Sequence, residues 1–231
     1  MSFLPKEDYY GLSGTGSNFE IISSDENASA QTAEAQDEKG DIVATLMYGE
    51  LKSPTCNYVL KGDATLSGKQ LGTPSATNYV MTSIQVDTGA GTPPSITVSG
   101  EEVPANSHCS SDCYYEAPSA SIECCHHAQW LFGLTGTLTQ GYYLTQASYT
   151  IECDLTKATK DGQTVRYDIT NGRVTATLTI QGTGSTTALE ITNVPNTWIE
   201  TSPLSQSNPD AGFDTYTVTY SYNLSHPATT P

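Results

Sequence analysis

The chain has 231 residues, with 25 acidic and 9 basic side chains and a formal net charge of −16. That balance argues against a protein built to hold DNA, RNA or anionic lipid, because phosphate binding needs clustered Lys and Arg; it fits plain solubility or the repulsion of a polyanion sliding past. Only 15% of residues are charged, and 14 Tyr stand beside 4 Phe, a composition that points to an all-β chain with a hydroxyl- and amide-rich surface.

The opening residues Met1 to Asp8 lack a basic segment followed by an apolar run, so no secretory signal is expected there. No stretch approaches the roughly 20 apolar residues of a membrane span. Residues 1–39 read as an irregular N-terminal arm. Ser24-Asp25-Glu26 can cap one short helix through Ala35, since an acceptor side chain and acids suit a helix N-terminus.

Residues 40–128 form a first expected β-module. Short alternating runs carry Leu46, Tyr58, Leu60, Val80, Ile84, Val86, Ile96 and Val98, broken by Ser53-Pro54, Thr73-Pro74 and Pro93-Pro94. Residues 129–231 form a second. There Tyr149, Ile151 and Cys153 alternate with polar residues, as do Val165, Tyr167 and Ile169. Asn171-Gly172 reads as a tight hairpin turn before Val174, Ala176, Leu178 and Ile180. Asp161-Gly162 marks an earlier turn, and Tyr216 to Leu224 a last strand.

The modules look alike. Asn57 to Thr65 resembles Ser148 to Thr156, Gly89-Ala90-Gly91-Thr92 resembles Gly182-Thr183-Gly184-Ser185, and Val103-Pro104 resembles Val194-Pro195. Two tandem antiparallel sandwiches, or partly closed barrels, follow as the expected architecture. In that register Ser121 to His127 corresponds to the last strand.

Chemistry-bearing residues concentrate in one place. Cys109 and Cys113 precede Cys124, Cys125, His126 and His127. On a strand Cys124 and His126 share one face and Cys125 and His127 the other. Cys109, Cys113, Cys124 and His126 are the candidate ligands of a structural zinc, and no other cofactor is expected. A disulfide from the 109–113 segment, or unpaired thiols, are the other readings. Cys56 and Cys153 read as core residues. The acids show no catalytic pair, and no dinucleotide loop, phosphate loop or nucleophile elbow is present, so no enzyme is expected. The pairs Tyr9-Tyr10, Tyr114-Tyr115 and Tyr142-Tyr143 suit either edge packing or an interface.

The acidic balance, the arm, the Thr/Tyr-rich β-modules and the segment Ile151 to Gly162 together resemble virion structural proteins of tailed bacteriophages. The likeness is to tail-tube and tail-tip ring proteins of Bacteroidota phages. It implies self-assembly through β-edges into a tail tube or ring with an acidic lumen for DNA. It also implies contacts with other virion proteins, neither specific nucleic-acid binding nor a membrane partner, and residence in the virion after synthesis in the host cytoplasm. A capsid decoration or fibre-base protein with immunoglobulin-like modules, or a glycan- or receptor-binding β-module, are the alternatives.

Overall fold

The computed structural model describes residues 6–13, 16–36, 38–39, 41–66, 69–74, 78–104, 114–160, 163–182, 188–207 and 213–225. In chain order the strands are β1 (Phe19–Gln36), β2 (Ile42–Leu60), β3 (Ala64–Thr65), β4 (Gln70–Leu71), β5 (Tyr79–Gly89), β6 (Thr92–Glu102), β7 (Tyr115–Glu116), β8 (Ser121–Ile122), β9 (Thr137–Leu138), β10 (Tyr142–Lys160), β11 (Gln163–Gly182), β12 (Ile191–Thr192), β13 (Ile199–Ser207) and β14 (Asp214–Asn223). The fold is all-β. Eight strands form one antiparallel sheet in the order β1-β2-β6-β5-β10-β11-β14-β13, and three two-stranded ladders, β3:β8, β4:β7 and β9:β12, stand outside it. Among the described residues no sheet closes into a barrel.

The alternation read in the sequence places the core on one face of this sheet. Cys56, Val98, Ile84, Ile151 and Val174 lie opposite one another across five strands, and Tyr58, Ile96, Val86, Tyr149, Ala176 and Tyr220 do so across six. All are buried. Leu66, Leu71, Ile122, Leu131, Leu134 and Trp198 from the ladders and loops supply the covering layer of the same core. Each large apolar side chain so covered contributes about 1.5–3 kcal/mol relative to exposure.

Three local expectations are corrected. Residues 24–35 form no helix: the irregular arm ends by Asn18, and β1 then pairs along its length with β2. Helix propensity loses because an isolated polar helix of this length buries nothing, whereas a neighbouring strand satisfies its backbone groups. Asn171-Gly172 is no hairpin turn. It is a bulge inside β11, opposite Cys153, flanked by the pairs Asp154↔Thr170 and Glu152↔Arg173. Asn171 has a φ of 56°, the left-handed geometry wanted by turn and bulge alike, and β10 is long enough to pair on both sides. A Cβ on Gly172 would overlap the Tyr115 ring. Finally, Ser121 to His127 is strand only at Ser121–Ile122.

The two halves share one rule of strand order. In the first, hairpin β1-β2 places β2 beside β6 of hairpin β6-β5; in the second, hairpin β10-β11 places β11 beside β14 of hairpin β14-β13. This matches β1 with β10 and β2 with β11. The sequence register, which set Asn57 to Thr65 in and after β2 against Ser148 to Thr156 in β10, is therefore shifted by one strand from the repeat in the topology. Similar alternation on neighbouring strands makes such a slip easy. The halves meet where Ser83–Gly89 of β5 pairs with Gln146–Glu152 of β10.

The N-terminal segment is fastened through Asp8. Its carboxylate accepts hydrogen bonds from the Tyr58 hydroxyl (2.6 Å), the Ser13 hydroxyl (2.7 Å) and the backbone N–H groups of Ser13 (2.6 Å) and Gly11 (2.9 Å). Burial alone would raise the carboxyl pKa. The donors from Tyr58, Ser13 and Gly11 outweigh it and hold the group below its ordinary 3.8. A depressed folded-state value means stability present above the unfolded value and lost as pH falls through the folded one. Asp8→Asn should therefore melt below wild type at about pH 6, and the gap should narrow toward about pH 3; a constant gap in parallel thermal melts would refute this account. A second prediction concerns Gly100, where a Cβ would meet the Val80 carbonyl oxygen. Gly100→Ala should cost about 1–3 kcal/mol in denaturant unfolding. Gly89→Ala, whose nearest neighbour is the flexible Gln146 side chain, should cost less.

Candidate functional site

Three features of the described residues offer chemistry or binding: the polar sheet face, the two free sheet edges and the loop after β8.

The polar face repeats across the sheet. One row runs Asp25, Thr55, Ser99, Ser83, Glu152, Arg173 and Asn223. The next runs Ser23, Asn57, Thr97, Gln85, Thr150, Thr175, Ser221 and Ile199. A third runs Glu20, Val59, Ser95, Asp87, Ser148, Thr177, Thr219 and Ser202. Neighbours within a row and between adjacent rows bond to one another. Thr97 donates to Asn57 Oδ1 at 2.8 Å, Asn57 Nδ2 to Ser23 Oγ at 2.9 Å, and Gln85 Nε2 to Asp87 at 2.9 Å. The one cation in these rows, Arg173, is paired with Glu152 at 2.7 Å. The face is therefore hydroxylated and mildly acidic. Its depression of about 520 Å³, lined by residues that include Asp87, Ser95, Gln146, Ser148, Thr177 and Thr179, contains no aromatic ring for a sugar to stack on.

The edges are β1 and β13. Each shows an exposed apolar side chain: Ile22 is 48% and Ile199 65% accessible. Beside β13 the described residues line an open groove of about 330 Å³, with Leu189, Ile191, Leu204, Val218 and Tyr220 among them. β13 also carries Pro203 and two register breaks against β14, devices that blunt indiscriminate strand pairing.

The loop after β8 holds the Cys/His cluster. Of the predicted ligands, Cys109 and Cys113 lie outside the described residues. Cys124 and His126 belong to no cluster of three or more metal-ligating groups among the described residues. Cys124 is half-buried, and its Sγ lies 3.3 Å from the Leu60 carbonyl oxygen, while His126 is exposed. The opposite pair converges instead. The carboxylate of Glu123, Cys125 Sγ and the His127 imidazole offer atoms all within 4.8 Å of one another, with Cys125 Sγ 3.4 Å from His127 Nε2. Glu123 was missed because the sequence reading weighed only sulfur and imidazole.

The tyrosines are mostly structural. Tyr10 is buried and donates to the Pro54 carbonyl at 2.7 Å. Tyr9 meets Tyr79 edge-on, and Tyr142 meets Tyr216 in the same way. Tyr143 is exposed.

The chain matches no known family model. A comparison with curated proteins likewise finds no match.

Cys56, Cys124, Cys125 and Cys153 carry free thiols. Cys56 and Cys153 are buried core residues, and burial pushes the Cys153 thiol up to about 12. Among these four, iodoacetamide should label Cys124 and Cys125 in the native protein and reach Cys56 and Cys153 only after denaturation. Peptide mapping of the labelled sites checks this; native labelling of Cys153 would contradict the packing.

Proposed function

We propose that this chain is a non-enzymatic structural subunit that assembles head-to-tail through its sheet edges, as in the tail tube or an adjoining ring of a tailed phage. The observation that carries the reading is the β5:β10 ladder. There the last strand in the order of one half pairs with the first of the next. The same relation, applied between copies, sets β13 of one subunit against β1 of its neighbour. Following the rows, Ile199–Ser205 would lie along Phe19–Asp25, where Ile199 and Ile22 would lose their exposure and the neighbour would cover the groove beside Leu204. Such a contact is heterologous, so it closes into a ring or continues as a filament according to the angle at each junction.

The hydroxylated face suits a lumen. Its acids Asp25 and Asp87, together with the pairing of Arg173 to Glu152, leave the three rows without an unpaired cation for DNA to anchor on. The net charge of −16 points the same way. Beyond the first polar row, the outer parts of β1-β2 and β10-β11 continue as two-stranded ribbons, from Asn27↔Ser53 to Gln36↔Ile42 and from Asp154↔Thr170 to Lys160↔Gln163. Both ribbons leave the same end of the sheet and are suited to reach a stacked ring.

The test uses complementary edge variants. Ile199→Lys blocks β13 and leaves β1 intact; Ile22→Lys does the reverse. Wild type should form rings or tubes by negative-stain imaging and light scattering. Each variant alone should be monomeric with an unchanged far-ultraviolet spectrum, and an equimolar mixture should form heterodimers and nothing larger. A wild type that stays monomeric at high concentration, or variants that assemble as wild type does, would overturn the proposal.

A further inference from the structure

The loop after β8 is built more tightly than its exposure suggests. The side chain of Gln129, itself 9% exposed, reaches three groups in it. Its Oε1 accepts from the Glu123 N–H at 2.9 Å, and its Nε2 donates to the Glu123 carbonyl at 2.8 Å and to Cys125 Sγ at 3.2 Å. The Gln129 backbone N–H is anchored on the buried Thr88 hydroxyl of β5 at 3.1 Å. On the other side the His126 carbonyl accepts the Gly91 N–H at 2.9 Å. The backbone that presents Glu123, Cys125 and His127 is thus held at both ends, and the sulfur receives a side-chain N–H, the kind of outer contact that orients metal-bound ligands.

The contact between Cys125 Sγ and His127 Nε2, a hydrogen bond in the free loop, also has the spacing a metal would impose. With metal–sulfur and metal–nitrogen bonds of about 2.3 and 2.0 Å at a tetrahedral angle, the two ligand atoms stand about 3.5 Å apart; Cys125 Sγ and His127 Nε2 are 3.4 Å apart. The donor set of one sulfur, one imidazole and one carboxylate selects a borderline-soft divalent cation over calcium or magnesium, which take oxygen ligands.

We propose that Glu123, Cys125 and His127 bind a zinc-class divalent cation, with water in the fourth position. Binding displaces the Cys125 thiol proton to solvent, and the metal stiffens the 123–127 loop, which the Gly91 N–H on the His126 carbonyl and the Gln129 N–H on Thr88 already hold to hairpin β5-β6. The site stands independently of the edge-assembly reading and is not the predicted set of Cys109, Cys113, Cys124 and His126.

The test is a Co2+ titration of the full-length reduced protein, followed by displacement with Zn2+. A stoichiometric thiolate-to-cobalt absorption band and tetrahedral visible bands are expected. Cys125→Ser should abolish the thiolate band and His127→Ala should weaken binding sharply. Cys124→Ser and His126→Ala should leave the spectrum in place. Gln129→Leu should weaken affinity about tenfold or more, the usual effect of losing an outer-shell partner. In the wild type, which needs no variant to fold, Zn2+ should slow alkylation of Cys125 more than of Cys124. No thiolate band in wild type, a band that survives Cys125→Ser, or equal protection of both cysteines would each overturn the assignment.

Discussion

Antiparallel strands can extend a sheet indefinitely, because each edge presents N–H and C=O groups to whatever lies beside it. In this chain that property is used once internally, where Ser83–Gly89 and Gln146–Glu152 join two four-stranded halves into one layer. The join fixes much else. It aligns the apolar residues of both halves on one face, so that a single cluster runs from Tyr58 and Ile96 through Val86 and Tyr149 to Leu178 and Val218. It aligns the hydroxyl rows on the other face. It also leaves the outermost strands unlike each other, β1 at one end and β13 at the other. Unlike edges make the proposed contact directional.

The two faces divide the work by chemistry. The apolar face takes the ladders and connecting loops and becomes the core, where Tyr149 gives its hydroxyl to the Gln129 carbonyl at 2.9 Å and Phe132 packs edge-on against its ring. The opposite face stays half-exposed and pairs its polar groups laterally. Thr, Ser, Asn and Gln suit it because each can donate and accept within a row without burying a charge.

Much of this was legible in the sequence, and the failures have identifiable causes. The alternation in Tyr149 to Cys153, Val174 to Ile180 and Tyr216 to Tyr222 marked β10, β11 and β14, since one-sided burial leaves a period of two. β1 was illegible because its Ala, Glu, Gln and Asn residues lack that period. It is a strand only because β2 lies beside it, and partnership is not a local property. Asn171-Gly172 signalled positive φ correctly, but whether such a pair reverses the chain or bulges it depends on the length of the partner strand. At the Cys/His loop, alternation separated Cys124 and His126 from Cys125 and His127. The structure turns Cys124 toward the Leu60 carbonyl and brings the buried Gln129 onto Cys125, contacts with no signature in spacing.

The internal junction also indicates what a junction between copies requires. Across β5:β10 the ladder is not bare: the connector preceding β10 lies over it, with the Gln129 N–H on Thr88 of β5 and the Leu131 N–H on the Tyr149 hydroxyl of β10 at 3.1 Å. In the topological repeat the segment that precedes β1 holds the place of that connector. That segment is already pinned to the core face by Asp8 on Tyr58 and by Tyr10 on Pro54. If copies pair as the halves do, it stands at the new seam, beside the groove left open by Leu189, Ile191 and Leu204 of the neighbour. Strand pairing would then supply direction, and the N-terminal segment would add apolar contact beside the groove that the described residues line.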